Sequence, residues 1–327
     1  MKRLALAVCL CPFVASAASE PAKQSAWQIA PEPALPPGEF GSWDDFAIRE
    51  ASVLQNARGF TLFYKAVTFS SEERTCAIGF AHSVDGVKWE KSKDNPIFAP
   101  SNGNEDEIAS FTATKWNDQF WAAYAVPREV NEEPQVELAR SDDGIVWQST
   151  GQIKGLAFEI GGAISAQPCL YADGPILHLW WIGRDGGKSF LCHSISRDAK
   201  KWSEPTKQPT TEIDAREMSA VRLYPSGNYY VLVYVAHDEN KKRFSIVTKI
   251  SREARSWLSK GPPEFVIEQP LRGLIPAMIF TTEGARLFYP ESLEVKTIQG
   301  KNLPPTPPSR GCVLRTAFCA KSAYVGY

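Results

Sequence analysis

The sequence predicts an all-β fold, a five-bladed β-propeller of four-stranded antiparallel blades, and three observations carry that expectation. The 327 residues are rich in turn formers, with 24 Pro and 22 Gly, and in strand-favouring aromatics, with 10 Trp, 17 Phe and 10 Tyr. A short pattern ending in Trp recurs four times at near-constant spacing. A second, aromatic pattern precedes each copy, and helix signals are weak throughout.

The first pattern reads Ser83-Val84-Asp85-Gly86-Val87-Lys88-Trp89, then Ser141-Asp142-Asp143-Gly144-Ile145-Val146-Trp147. It returns as Ser196-Arg197-Asp198-Ala199-Lys200-Lys201-Trp202 and as Ser251-Arg252-Glu253-Ala254-Arg255-Ser256-Trp257, with the tryptophans 58, 55 and 55 residues apart. Asp-Gly between two β runs makes a tight turn whose Asp side chain can accept backbone N–H bonds. The Trp then stands on the outgoing strand, where its ring can fill the gap to a neighbouring sheet. These residues are read as scaffold.

The second pattern is Gly59-Phe60-Thr61-Leu62-Phe63-Tyr64, matched by segments 119–124, 175–181 and 229–234, with Ala285 to Tyr289 as a fifth copy. Each unit is therefore strand, turn, aromatic strand, loop, strand, Asp-Gly turn and Trp strand. Such blades repeat around an axis to give a propeller. The units begin near Asp45, Glu105, Glu159, Asp214 and Leu271, and the fifth lacks its own Trp turn. Ser25-Ala26-Trp27-Gln28-Ile29 resembles the outer strand Val146 to Ser149, so Trp27 is expected to supply the last blade's outer strand and close the ring. The Pro-rich stretch from Asn302 to Pro308 reads as a long loop in the fifth unit.

Residues 1–17 read as an export signal, with Lys2 and Arg3, an apolar stretch from Leu4 to Val14, and the small-x-small site Ala15-Ser16-Ala17. The division expected is signal peptide 1–17, an N-terminal segment 18–42 that closes the ring, and a propeller over 43–327. This predicts a secreted or periplasmic protein, taken as a monomer. The net charge of -1, with both signs spread along the chain, speaks against a nucleic-acid partner, and no apolar run is long enough to span a bilayer. Beyond the signal stand five cysteines: Cys76, Cys169, Cys192, Cys312 and Cys319. An odd number leaves at least one thiol unpaired, and Cys312 and Cys319 are close enough in sequence to bridge. No Cys/His cluster has zinc-ligand spacing, and no metal or cofactor is expected.

In such blades the starts of the inner strands and the loops after the second strands share one face, opposite the Asp-Gly turns. That face gathers Asp44, Asp45, Arg49 and Glu50, then Glu105, Asp106 and Glu107, then Glu159, then Asp214, Arg216 and Glu217, and finally Arg272. Arg49-Glu50-Ala51-Ser52 and Arg216-Glu217-Met218-Ser219 repeat one motif at the head of two blades. Paired carboxylates across a pocket are what glycoside hydrolysis requires. Glu50, Glu217, Glu107 and Glu159 are the candidate catalytic carboxylates. Arg49, Arg216, Arg272, Asp45, Asp106 and Trp43 are the candidate substrate-binding residues, and the expected partner is a carbohydrate.

Arg49 to Leu54, followed by Gly59 to Tyr64, resembles the first inner strand and aromatic strand of the five-bladed propeller glycosidases, the arabinanase, xylosidase and invertase group that includes glycoside hydrolase family 43. The resemblance implies a glycosidase with Glu50 in the general-base position. It would place the second blade's acid near Thr112 and the third blade's close before Pro168, where Ser165, Ala166 and Gln167 stand, so those acids have moved or the chemistry is lost. A non-catalytic carbohydrate-binding propeller is the alternative. The Ser-x-Asp-Gly turns and the arginines Arg49, Arg216 and Arg272 are also similar to sialidases, which bind an acidic sugar through three arginines.

Overall fold

A computed structural model describes residues 26–69, 74–99, 108, 110–126, 135–154, 162–163, 167–185, 188–208, 218–226, 229–238, 243–253, 256–258, 261–267, 275–294 and 310–323. Among them the chain is almost entirely strand, with one 3-10 turn at Lys321–Ala323. No helix of the described residues is long and apolar enough to cross a membrane.

After β1 (Trp27–Ile29) the strands fall into antiparallel groups. The first holds β2 (Ala47–Asn56), β3 (Gly59–Phe69), β4 (Arg74–Ser83) and β5 (Glu90–Lys91), and the second β6 (Ser110–Trp116), β7 (Gln119–Val126), β8 (Gln135–Ser141) and β9 (Gln148–Gln152). The third has a divided inner strand, β10 (Gly162–Ala163) and β11 (Cys169–Asp173), beside β12 (Ile176–Asp185), β13 (Lys188–Ser196) and β14 (Thr206–Gln208). β15 (Met218–Ser226), β16 (Tyr229–Asp238), β17 (Arg243–Ser251) and β18 (Phe265–Ile267) make the fourth. The fifth contains β19 (Ala277–Phe280), β20 (Gly284–Glu294) and β21 (Arg310–Ala320), with β1 on the outer edge of β21. All five aromatic segments fall on the second strands, β3, β7, β12, β16 and β20.

The Ser-x-Asp turns have one construction. Asp85 Oδ1 accepts the N–H groups of Val87 and Lys88 at 2.8 and 3.0 Å, while Ser83 Oγ accepts from Gly86 at 2.8 Å. Asp143 and Ser141 repeat this with Ile145, Val146 and Gly144, and Asp198 with Lys200 and Lys201. The backbone donors hold all three Asp carboxyls below their ordinary range.

Each repeat Trp packs against the preceding group. Trp89 meets Phe288 edge-on at 5.5 Å, Trp147 meets Phe63 at 5.7 Å, and Trp257 meets Trp180 at 6.3 Å. Trp202 joins the cluster of Trp116 and Trp121. Trp27 behaves alike: it meets Phe265 at 5.7 Å, its Nε1 donates to Pro263 O at 2.7 Å, and it pairs with Cys319 across β1 and β21.

From β1 the chain follows β21 to Leu35, which bonds both ways with Leu314, and then docks on the first group. There buried Asp44 binds Lys91 Nζ at 2.6 Å, Asp45 Oδ1 accepts from Thr68 Oγ1 at 3.0 Å, and Trp43 lies against Tyr64. Burial and Asp44 push the Tyr64 phenol above its ordinary range.

None of the five described cysteines is joined in a disulfide, so the bridge that the sequence spacing of Cys312 and Cys319 allows does not form. Both lie on β21, seven residues apart. At ~3.3 Å per residue they stand about 23 Å apart, against the ~7 Å limit of a disulfide.

Candidate functional site

The inner strands β2, β6, β11, β15 and β19 contact one another in succession, and Ile275, just before β19, bridges Glu50 of β2. An inner strand has one edge without a strand partner, and its backbone groups need other partners. Side chains of the neighbouring inner strand supply them. Glu50 Oε1 accepts from Phe111 N, Ser52 Oγ from Ala113 N, Cys169 Sγ from Leu223 N and the Tyr224 hydroxyl from Met278 N.

Glu50 is the centre of this arrangement and is 2% exposed. Its Oε1 accepts from Ser110 Oγ at 2.8 Å, Phe111 N at 3.2 Å and Arg222 Nη2 at 3.0 Å. Its Oε2 has no hydrogen-bond partner and lies 4.0 Å from Lys65 Nζ, which donates to Ile108 O at 3.0 Å. Arg222, also 2% exposed, crosses the axis: Nη1 donates to Pro168 O and Nη2 to Phe111 O, both at 3.0 Å. One guanidinium thus ties four groups together. A bulge between Ile48 and Glu50 sets the phase of β2, so that Glu50 and Ser52 both reach β6.

Toward the hairpin end of the inner strands, beyond Arg222, the axis widens into a cavity of about 280 Å³. Its wall is the last part of all five inner strands, where Ser52, Thr112, Thr114, Cys169 and Ala172 are too small to fill the centre. Charge closes the axis at one level and small side chains leave it open at the next.

Of the predicted site residues, only Glu50 is brought to the axis among those described. Arg49 is half-buried and makes no hydrogen bond or ion pair among the described residues; its charge acts on Cys312, whose thiol burial raises and Arg49 lowers. Asp45 and Trp43 brace the N-terminal segment on β3. Asp106, Glu107, Glu159, Arg216, Glu217 and Arg272 lie outside the described residues. Sequence reasoning missed Arg222, Lys65 and Ser110. Arg222 sits between Val221 and Leu223, and Lys65 between Tyr64 and Ala66. A lone charge inside an apolar strand needs a buried partner, and that was the available signal. Among the described residues no group of three or more His, Cys, Asp or Glu could hold a metal ion.

No family model matches the chain. An uncharacterized protein of Mycobacterium tuberculosis is 24% identical over 199 residues, 57% of this chain; the chain covers 64% of that protein's length. Solved structures share the fold. A family 117 glycoside hydrolase from the marine bacterium Zobellia galactanivorans matches with a TM-score of 0.60 at 12% identity, over 92% of this chain and 91% of that one. The catalytic domain of the Coprinopsis cinerea family 62 α-L-arabinofuranosidase matches at 0.57 and 12%, over 92% and 99%. A structure from the family 130 mannoside phosphorylases and glycoside hydrolases matches at 0.54 and 12%, over 90% and 95%. The fold is that of propeller-type glycoside hydrolases.

Proposed function

We propose that the chain is an exported glycoside hydrolase, built as a closed five-bladed propeller whose ring Trp27 completes, with Glu50 as one catalytic carboxylate. The observation that carries this is the asymmetry of Glu50: three donors fix Oε1, while Oε2 is left without a hydrogen bond. A carboxylate held by one oxygen presents the other in a fixed direction, as a general base requires. In that role Oε2 takes a proton from water as the water oxygen bonds to the anomeric carbon. A second carboxyl, from Glu107, Glu159 or Glu217, protonates the leaving oxygen as the glycosidic bond breaks. Arg216 and Arg272, with Asp106, bind the sugar from the entrance side.

The test is hydrolysis of a panel of aryl glycosides and oligosaccharides by the full chain, Glu50→Gln and Glu217→Gln. Loss of about 100-fold or more in kcat for Glu50→Gln, with the circular dichroism spectrum unchanged, supports the role. Full activity of Glu50→Gln removes Glu50 from the mechanism. Thr112, standing where the glycosidase resemblance puts an acid, favours the second reading, a carbohydrate-binding propeller. Binding of an oligosaccharide without turnover by the full chain would establish that reading instead.

A further inference from the structure

The cavity at the hairpin end is separate in level from Glu50, and nothing in the hydrolytic reading uses it. Its most telling residues are on β6. Ser110, Thr112 and Thr114 alternate along that strand and form a row of hydroxyls. Ser110 is consumed by Glu50. Thr112 and Thr114 line the cavity, are only 2% and 6% exposed, and make no hydrogen bond among the described residues. Neither hydroxyl oxygen is fully enclosed, so each stays open to the cavity and able to bond what fills it.

The rest of the wall defines what that something is. Ser52 adds a third hydroxyl, and Gln55 an amide at the exposed rim. Leu170, Leu223, Met278 and Phe280 form an apolar flank. No carboxylate lines the cavity among the described residues; of its two cations, Arg222 is already bound to Glu50 and Lys115 stands exposed at the rim. Hydroxyls that both donate and accept, set against an apolar wall, match a neutral polyhydroxylated ring, whose edge carries hydroxyls and whose faces carry C–H groups. The volume of about 280 Å³ lies at the small end of ligand sites, which run from ~300 to ~1,000 Å³, so the occupant is a single sugar and not a chain. We infer that this cavity is a monosaccharide site on the axis, opposite the entrance face and distinct from the Glu50 carboxylate. The inference does not require the hydrolytic reading to hold.

Saturation-transfer NMR on the full chain, with D-glucose, D-galactose, D-mannose, D-xylose and L-arabinose as probes, tests it. At least one should bind with Kd on the order of 1 mM. Thr114→Val should weaken that binding about tenfold, the loss of one hydrogen bond, and Thr112→Val similarly. Both changes preserve shape and remove no protein hydrogen bond, so folding is retained, and thermal melting checks this. Glu50→Gln should keep the monosaccharide site while any hydrolysis is lost; the two valine variants should do the reverse. Failure of every probe to bind overturns the inference. So does binding that is unchanged in both valine variants, or a cavity that takes only acetate or chloride.

Discussion

The periphery and the axis of this molecule are built on opposite rules. At the periphery one device recurs: a Ser-x-Asp turn shapes the strand end, and a Trp fills the seam with the preceding group. At the axis side chains repeatedly take up a neighbouring strand's N–H groups, but the charges there do not recur. Glu50, Lys65 and Arg222 each occur once, and Arg222 alone reaches Glu50, Phe111 and Pro168. Repetition spreads packing over many equivalent seams. A single-copy buried charge concentrates its consequences, because removing one partner strands the others.

The largest effect is therefore expected at the axis. Arg222→Met removes the donor to Glu50 Oε1 and to three buried carbonyls. It should cost about 3–5 kcal/mol in urea unfolding, as for other broken buried ion pairs. Adding Glu50→Gln should return part of the loss, since the amide keeps its bonds to Ser110 and Phe111 without an unpaired charge. A loss below about 1 kcal/mol for Arg222→Met would erase the contrast between axis and periphery.

Next comes the seam between the fourth group and the fifth. Trp27→Ala should cost about 3 kcal/mol, the low end for buried Trp truncation, through loss of the Phe265 contact and the bond to Pro263 O. Ile29 lies on the same short strand but is 58% exposed, so Ile29→Ala should fall within about 0.5 kcal/mol of the parent. Equal melting temperatures for the two variants would mean that the N-terminal strand decorates the ring and does not belong to it.

What could be read in the sequence follows the same division. The turns were legible because their bonds close within three residues, and the strand after each turn carries its Trp at a fixed distance. The pairing of Trp27 with the edge of β21 was legible because its neighbours resemble an outer strand. The axis was not, because Arg222 and Glu50 stand 172 residues apart and share no motif. Arg49 could be placed beside Glu50 in sequence, but its charge is felt at Cys312. Cys312 and Cys319 misled for a simpler reason: nearness along an extended strand is distance in space.

The smallest expected effect uses natural variation among the turns. The residue after the turn Asp has φ of 70° at Gly86, 81° at Gly144 and 57° at Ala199. A left-handed backbone costs a side-chain-bearing residue ~1–2 kcal/mol, and glycine's extra chain entropy offsets ~0.5–1 of any gain. Ala199→Gly should thus stabilise by about 0.5–1 kcal/mol, read from the urea midpoint at unchanged slope. The reverse changes separate strain from collision. A Cβ at Gly144 would meet nothing nearer than Phe120 at 3.4 Å, whereas one at Gly86 would meet Ile279 of the fifth group at 2.8 Å. Gly86→Ala should therefore cost more than Gly144→Ala, because it also disturbs the seam. Equal costs for the two, or no gain from Ala199→Gly, would mean that the turns relax independently of the groups they border.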